Sequence, residues 1–364
     1  MILEMRLVRG LVVAATGVVV TLVVTAQPAA AHDVPGIKPS NFETTVRGTT
    51  PRVAGLTVRP IDLGNELELR NDTGADVVVL GYQGEPYLRV GPRGVFENRR
   101  SPATYLNRTR AGNTHVPSDA DPAAAPEWNR IGSGPVVRWH DHRAHWMGTE
   151  DPPAVTRAPD QRHVIDHWSL QLQRGTQDIT VSGDLLWVPG PSPWGWVIGA
   201  LVVALSLVAL SRTRIWRWAL AAALGIVVVS ETAHVVGNWT ATTASFATKI
   251  GASVYSIGGI ALAAVALVWI VIRPPSDAIP AVLFAGLVVA VAGGLADLTT
   301  LTHSQLPTDV PATVARLEVM LALGLGVGLA ASAALRLRPP APSTARPRAT
   351  INESTPVSSG SSGS

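Results

Sequence analysis

From Trp194 onward the chain is a succession of apolar runs, each close to the length that crosses the hydrocarbon core of a bilayer. No other feature constrains the fold as strongly. Inside that core no water satisfies backbone N–H and C=O groups, so each run must close its own hydrogen bonds as a helix. Five transmembrane helices are expected, at about 193–211, 216–236, 251–272, 279–299 and 315–335. Arg212, Arg214 and Arg217 fall between the first and second, Arg273 between the third and fourth, and Arg336, Arg338, Arg346 and Arg348 after the fifth. The intervening loops, 237–249 and 300–314, carry only Lys249. By the positive-inside rule, the residues before Trp194 lie outside the cell and the tail inside. Trp187, Trp194 and Trp196 on one side, and Trp216 and Trp218 on the other, fit interfacial belts.

The amino terminus reads as a secretory signal. Arg6 and Arg9 precede the apolar core "LVVAATGVVVTLVVT", and "AQPAAA" places Ala29 and Ala31 where signal peptidase needs small residues. Cleavage there leaves His32 as the mature first residue. The expected organisation is a cleaved signal over 1–31, an extracytoplasmic metal-binding region over 32–190, a transmembrane region over 191–338, and a disordered cytoplasmic tail over 339–364. Between 32 and 190 the chain is polar, with short alternating runs such as "LTVRPIDLGNELELRN", "DVVVLGYQ", "EPYLRVGPRGVFEN" and "VVRWHDHR". "DHWSLQLQRGTQDITVSGDLLWV" reads as a hairpin turning at "RGTQ", and residues 108–130 as a long loop. Six or seven short strands predict an all-β sandwich of immunoglobulin or cupredoxin type. Zero cysteine excludes disulfides, thiolate metal sites and cysteine nucleophiles. The basic balance comes almost wholly from arginine and forms no stripe with interleaved aromatics, so no nucleic-acid partner is expected. No Ser-His-Asp order or phosphate-binding glycine loop is present.

The chain has nine histidines, and three stand in "VVRWHDHRAHWMG". Read as a strand, this stretch points His140 and His142 to one face and Asp141 to the other, with His145 and Met147 beyond. Two imidazoles at that spacing can grip a metal, and neutral imidazole suits copper, zinc or nickel. The competing readings are surface decoration and a zinc site completed by a carboxylate. A mature amino-terminal His32 would add two nitrogens, its free amine and its ring. His163 and His167, in "RHVIDHW", read as structural, and His115 as solvated.

A mature His32 followed about a hundred residues later by His140-Asp-His142 resembles the copper site of the amino-terminal cupredoxin-like domain in the B subunits of particulate methane and ammonia monooxygenases. It is similar, more loosely, to the CopC copper proteins and to CopC–CopD fusions, which set such a domain on a membrane bundle. The resemblance implies copper as cofactor and a ligand role for His32, His140 and His142; His145 is a candidate ligand from its place in the same stretch alone. Monooxygenase activity is not carried over.

Ionisable groups inside membrane spans are costly and mark function by default. Glu231 and His234, spaced i, i+3, share a helix face in the second span. Asp297 and His303 stand at and beyond the end of the fourth, and Glu318 opens the fifth. All five are expected toward the outer side, as a second metal site, a proton relay or a docking site for copper. The alternative is that they snorkel to nearby water. "GASVYSIGG" and "GLGVGLAAS" read as helix-packing faces. Three functions compete: copper handling, delivery or uptake at the cell exterior; a structural or assembly subunit of a larger membrane complex; and a copper monooxygenase-like subunit. The expected partners are the lipid bilayer and other membrane subunits or a cuproenzyme.

Overall fold

The computed structural model describes residues 37–337. The signal segment, His32 and the tail lie outside the described residues. The chain folds as an antiparallel β-sheet region followed by a helical bundle.

Ten strands form two antiparallel sheets. They are β1 (Phe42–Thr50), β2 (Leu56–Ile61), β3 (Glu66–Asn71), β4 (Val77–Leu80), β5 (Pro86–Gly91), β6 (Gly94–Asn98), β7 (Trp128–Gly132), β8 (Val136–Trp139), β9 (His163–Arg174) and β10 (Gln177–Trp187). The larger sheet runs β1-β10-β9-β4-β5-β6-β7 and the smaller β2-β3-β8. The expected hairpin is present as β9 and β10, with Arg174 opposite Gln177 and Gly175 at positive φ in the turn. Its alternation is plain: Trp168, Leu170 and Leu172 of β9 and Ile179, Val181 and Leu185 of β10 are buried, their neighbours largely outside. The two sheets share one buried cluster, to which the smaller contributes Leu56, Leu67, Leu69, Val137 and Trp139.

More strands form than the alternation predicts: two continuous runs fold back on themselves, and β1 and β7 form in stretches not read as strands. "LTVRPIDLGNELELRN" is β2 and β3, joined by a turn in which Asp62, Leu63 and Gly64 have φ of 50°, 59° and 80°. "EPYLRVGPRGVFEN" is β5 and β6, reversing between Gly91 and Gly94. Two short helices, α1 (Ala103–Leu106) and α2 (Pro153–Arg157), lie in the connections.

The bundle comprises α3 (Trp194–Leu210), α4 (Trp216–Ala241), α5 (Phe246–Ile272), α6 (Pro275–Val289) and α7 (Ala312–Leu337). A π-helical turn, Ala290–Leu295, extends α6. Four of these helices are long and apolar enough to cross a membrane, at 26, 27, 21 and 26 residues for α4, α5, α6 with its π turn, and α7. The remaining apolar helix, α3, has 17 residues, or about 26 Å at 1.5 Å per residue. Val202 and Leu205 of α3, Val229 of α4 and Val265 and Ile272 of α5 stay exposed, an outer surface suited to lipid. The "GLGVGLAAS" segment packs as expected. Gly324 and Gly328 face Ala200, Val203, Ala204 and Leu207 of α3, and Gly326 faces Ala290. In "GASVYSIGG", Gly259 meets Val288 and Ser253 accepts from Trp239 Nε1 of α4 at 2.8 Å, whereas Gly251 and Gly258 face open space.

The β-sheet region docks on one end of the bundle. Ser40 and Gln305 exchange backbone hydrogen bonds at 3.0 and 2.9 Å, and Ser304 bonds Asn41 Oδ1 and Val188 O at 2.9 and 2.7 Å. The basic residues gather at the other end. There Arg217 donates to the carbonyls of Ile270 and Arg273, and Arg336 lies over the Trp216 ring.

Candidate metal centre

β8 ends at Trp139, and the chain beyond it bends into a turn instead of continuing as a strand. Asp141 causes the break. Its carboxylate, 1% exposed, accepts from Trp139 Nε1 at 2.9 Å, from the Arg143 amide at 3.2 Å and from the Arg143 guanidinium at 2.8 and 2.9 Å. The Ala144 amide closes the turn on Asp141 O. Thr44 Oγ1 of β1 ties the same turn down by donating to Ala144 O at 2.6 Å. The expected sharing of one strand face by His140 and His142 is therefore corrected. The strand that would impose it stops one residue short, because Asp141 is buried and satisfied instead of facing out.

Each of the three histidines donates one ring N–H to a main-chain carbonyl. His140 Nδ1 donates to Asn65 O at 2.8 Å, His142 Nε2 to Thr109 O at 3.2 Å, and His145 Nε2 to Arg110 O at 3.3 Å. A carbonyl can only accept, so in a neutral ring the other nitrogen of each keeps its lone pair. His140 turns toward β3, with Nε2 3.6 Å from Glu66 Oε1. The close ring pair is His142 and His145, with centroids 5.6 Å apart at 85°. His142 also stacks on Tyr82 and lies over Gly112, where no side chain stands in its way. The long loop read over 108–130, which gives way to β7 at Trp128, thus covers His142 and His145 with the carbonyls of Thr109 and Arg110. Met147 is 42% exposed and joins none of these contacts.

His145 is 7% exposed, and its Nδ1 is buried with no hydrogen-bond partner. Burial, reinforced by the Arg110 guanidinium and by His142 and His140, pushes its pKa down to about 4. The ring is neutral at physiological pH. Burial likewise raises Glu66 above the usual carboxylate range, with His140 opposing. Tyr82, whose hydroxyl accepts from the His142 amide at 3.2 Å, is pushed up to about 12 by burial and by the Asp141 charge.

His145 lines a cavity of about 100 Å³ together with Lys38, Thr44, Asp62, Asn65 and Arg110. Asp62 is the residue the alternating pattern hid. Its Oδ1 is buried without a hydrogen-bond partner, and its Oδ2 accepts from Thr243 Oγ1 of the α4–α5 loop at 3.3 Å. Two buried acceptors, His145 Nδ1 and Asp62 Oδ1, therefore border one cavity without a hydrogen-bond partner, a demand that a bound water or a cation meets, with Lys38 and Arg110 lining the same cavity. A neutral imidazole whose second nitrogen is anchored to a carbonyl is also the arrangement metal-ligating histidines adopt. Among the described residues, no group of three or more His, Asp or Glu side chains is arranged to hold a metal ion. His163 and His167 lie elsewhere, bonded to Ala158 O at 2.7 Å and Asp184 Oδ1 at 2.5 Å.

In the bundle, Glu231, His234, Asp297 and Glu318 converge at the end facing the β-sheet region. His234 Nδ1 is 3.2 Å from Glu318 Oε2, and Nε2 is 3.5 Å from Asp297 Oδ2 and 3.0 Å from Asn238 Nδ2. Glu231, His234 and Glu318 are buried, so they do not snorkel. His303 stays apart, bonded back to Thr299 O at 2.9 Å. Compared with protein-family models, curated proteins and solved structures, the chain matches none.

Proposed function

We propose that the chain is a membrane-anchored, extracytoplasmic copper-binding protein that handles, delivers or takes up copper. One observation carries this reading: His145 Nδ1 and Asp62 Oδ1 border one cavity as buried acceptors without a hydrogen-bond partner. Neutral imidazole is a good copper ligand, and His142, next to His145, keeps a second lone pair. The amine and ring of a mature His32 complete the ligand set. His32 precedes Lys38, which lines the cavity, by six residues, a reach of up to about 20 Å for an extended chain. His140, with Glu66, stands beside this set as a supporting or alternative ligand. In this reading the two antiparallel sheets are a sandwich of cupredoxin type, α3 is a fifth span, and the basic end of the bundle faces the cytoplasm.

The copper itself would supply a redox-active, strongly nitrogen-binding centre. The protein's residues orient and shield it: Asn65, Thr109 and Arg110 carbonyls set the ring tautomers, and Asp141 holds the turn. Titration of the full chain in detergent with Cu(II) tests this. The expected result is one tightly bound equivalent, weakened at least about tenfold by His145→Ala, His142→Ala or Asp62→Asn. Unchanged binding in all three variants, or no binding by the parent chain, overturns the proposal. Copurification of stoichiometric partners, with function unaffected by these substitutions, would support an assembly role instead.

A further inference from the structure

The polar cluster inside the bundle is independent of the copper proposal, and its hydrogen bonding points to a different ligand. His234 Nδ1 faces a carboxylate, Glu318, which accepts, so Nδ1 carries a hydrogen. Nε2 stands 3.0 Å from the Asn238 side-chain amide, which donates to it when the ring is neutral and presents its oxygen when the ring is charged. Asp297 Oδ2 stands 3.5 Å from that same nitrogen, buried and without a hydrogen bond. In the neutral ring two lone pairs would face each other across that gap; one hydron there makes an ion-paired N–H···O contact, the form that the two flanking carboxylates favour.

Glu231 supplies the second observation. It is 5% exposed and makes no hydrogen bond or ion pair among the described residues. Its carboxyl lies against Gly293 of the π-helical turn, in space that any side chain there would fill. An ionised carboxylate without a partner is costly in such surroundings, whereas the acid form is tolerated. π-helical turns inside helices recur at functional sites, and this one leads directly to Asp297.

We propose that Glu231, His234, Asp297 and Glu318 form a proton-binding site within the membrane, opening toward the β-sheet region. Glu231 holds one proton as a carboxylic acid. His234 holds a second at Nε2, hydrogen-bonded to Asp297, and the Asn238 amide, which can donate to that nitrogen only when it is neutral, turns its oxygen to the ring instead. A metal ion fits less well, because each ring nitrogen faces a carboxylate that a single hydron on that nitrogen satisfies. α3 carries no titratable side chain, and Lys249 of α5 donates to Trp239 O. Arg316 and His303, at the rim, bond main-chain carbonyls. The four named side chains and Asn238 therefore set the behaviour.

Infrared difference spectroscopy of the full chain in lipid nanodiscs, in H2O and D2O, tests this. At neutral pH the expected spectrum contains the C=O stretch of a protonated carboxylic acid that shifts in D2O and is lost in Glu231→Gln. Imidazole ¹⁵N NMR should show His234 charged at neutral pH between its two carboxylates, and Asp297→Asn should move its deprotonation to lower pH. Because Glu231→Gln can fail to fold, the parent chain is read first: absence of an acid band at neutral pH overturns the proposal outright. A band that persists in folded Glu231→Gln also overturns it. So does a second equivalent of Zn(II) or Cu(II) that displaces the band, which would make the cluster a metal site.

Discussion

His145 should make the stability of the β-sheet region depend on pH in a way that a single substitution removes. In the unfolded chain its imidazole titrates near 6.5, and in the folded chain burial pushes it down to about 4. Between these values the unfolded state binds the extra proton, so stability is full above about 6.5 and falls as pH drops toward 4. At pH 5 the unfolded ring is almost wholly charged and the folded ring almost wholly neutral. The difference is about 2 kcal/mol, with a ceiling of about 3 kcal/mol below pH 4. His145→Gln keeps a polar side chain and abolishes this titration. The assay is urea unfolding of the metal-free full chain in detergent at pH 7.5 and pH 5, read by pulsed hydrogen exchange of peptides from β9 and β10. The parent should lose about 2 kcal/mol more than the variant between the two conditions. Equal losses would show that His145 is not held neutral by burial, and the argument for a preformed imidazole ligand would fail.

Other substitutions probe separate parts of the account. Gly112→Ala puts a methyl against the His142 ring at a residue with φ of 64°, so it should weaken Cu(II) binding about tenfold in an equilibrium titration. Glu68, whose side chain is 9% exposed, bridges Arg59 and Arg138 across the smaller sheet at 2.8 Å each. Burial opposes its ionisation, but the two guanidiniums prevail and lower its pKa. Glu68→Gln should therefore cost about 1 kcal/mol at neutral pH, a penalty that fades as pH falls through the carboxylate range, measured by the same unfolding assay. Gly286 lies against the backbone of Gly326 and Ala330, so Gly286→Ala should force α6 and α7 apart and lower the thermal midpoint of the bundle in detergent.

Much of the architecture is legible from hydrophobic pattern alone. The bundle is announced by apolar runs that nothing but helices can accommodate in lipid, and the β9–β10 hairpin by alternation around a Gly-containing turn. The convergence of Glu231, His234, Asp297 and Glu318 could be read from their position near one end of their helices. The histidine turn could not. An Asp between two histidines looks like an outward strand residue, and only the packing of Trp139 and Arg143 around Asp141 shows it to be buried. His145, which reads as the weakest member of the cluster, is the most enclosed, because its burial comes from the distant loop at Thr109 and Arg110. Asp62 is hidden for another reason. Its positive φ turns a continuous alternating run into a hairpin, and backbone strain of that kind leaves no mark in the order of apolar and polar residues.

Copper binding by the β-sheet region is proposed to run through His145 and its neighbours. Electron paramagnetic resonance of the full chain loaded with one equivalent of Cu(II), with spin-echo detection of coupled nitrogens, examines it most directly. The expected spectrum is a single copper species with imidazole nitrogens among its ligands. His145→Ala should lose one of those couplings, and blocking the mature amino terminus should perturb the rest. A spectrum without imidazole coupling, or one identical in parent and His145→Ala, would contradict it.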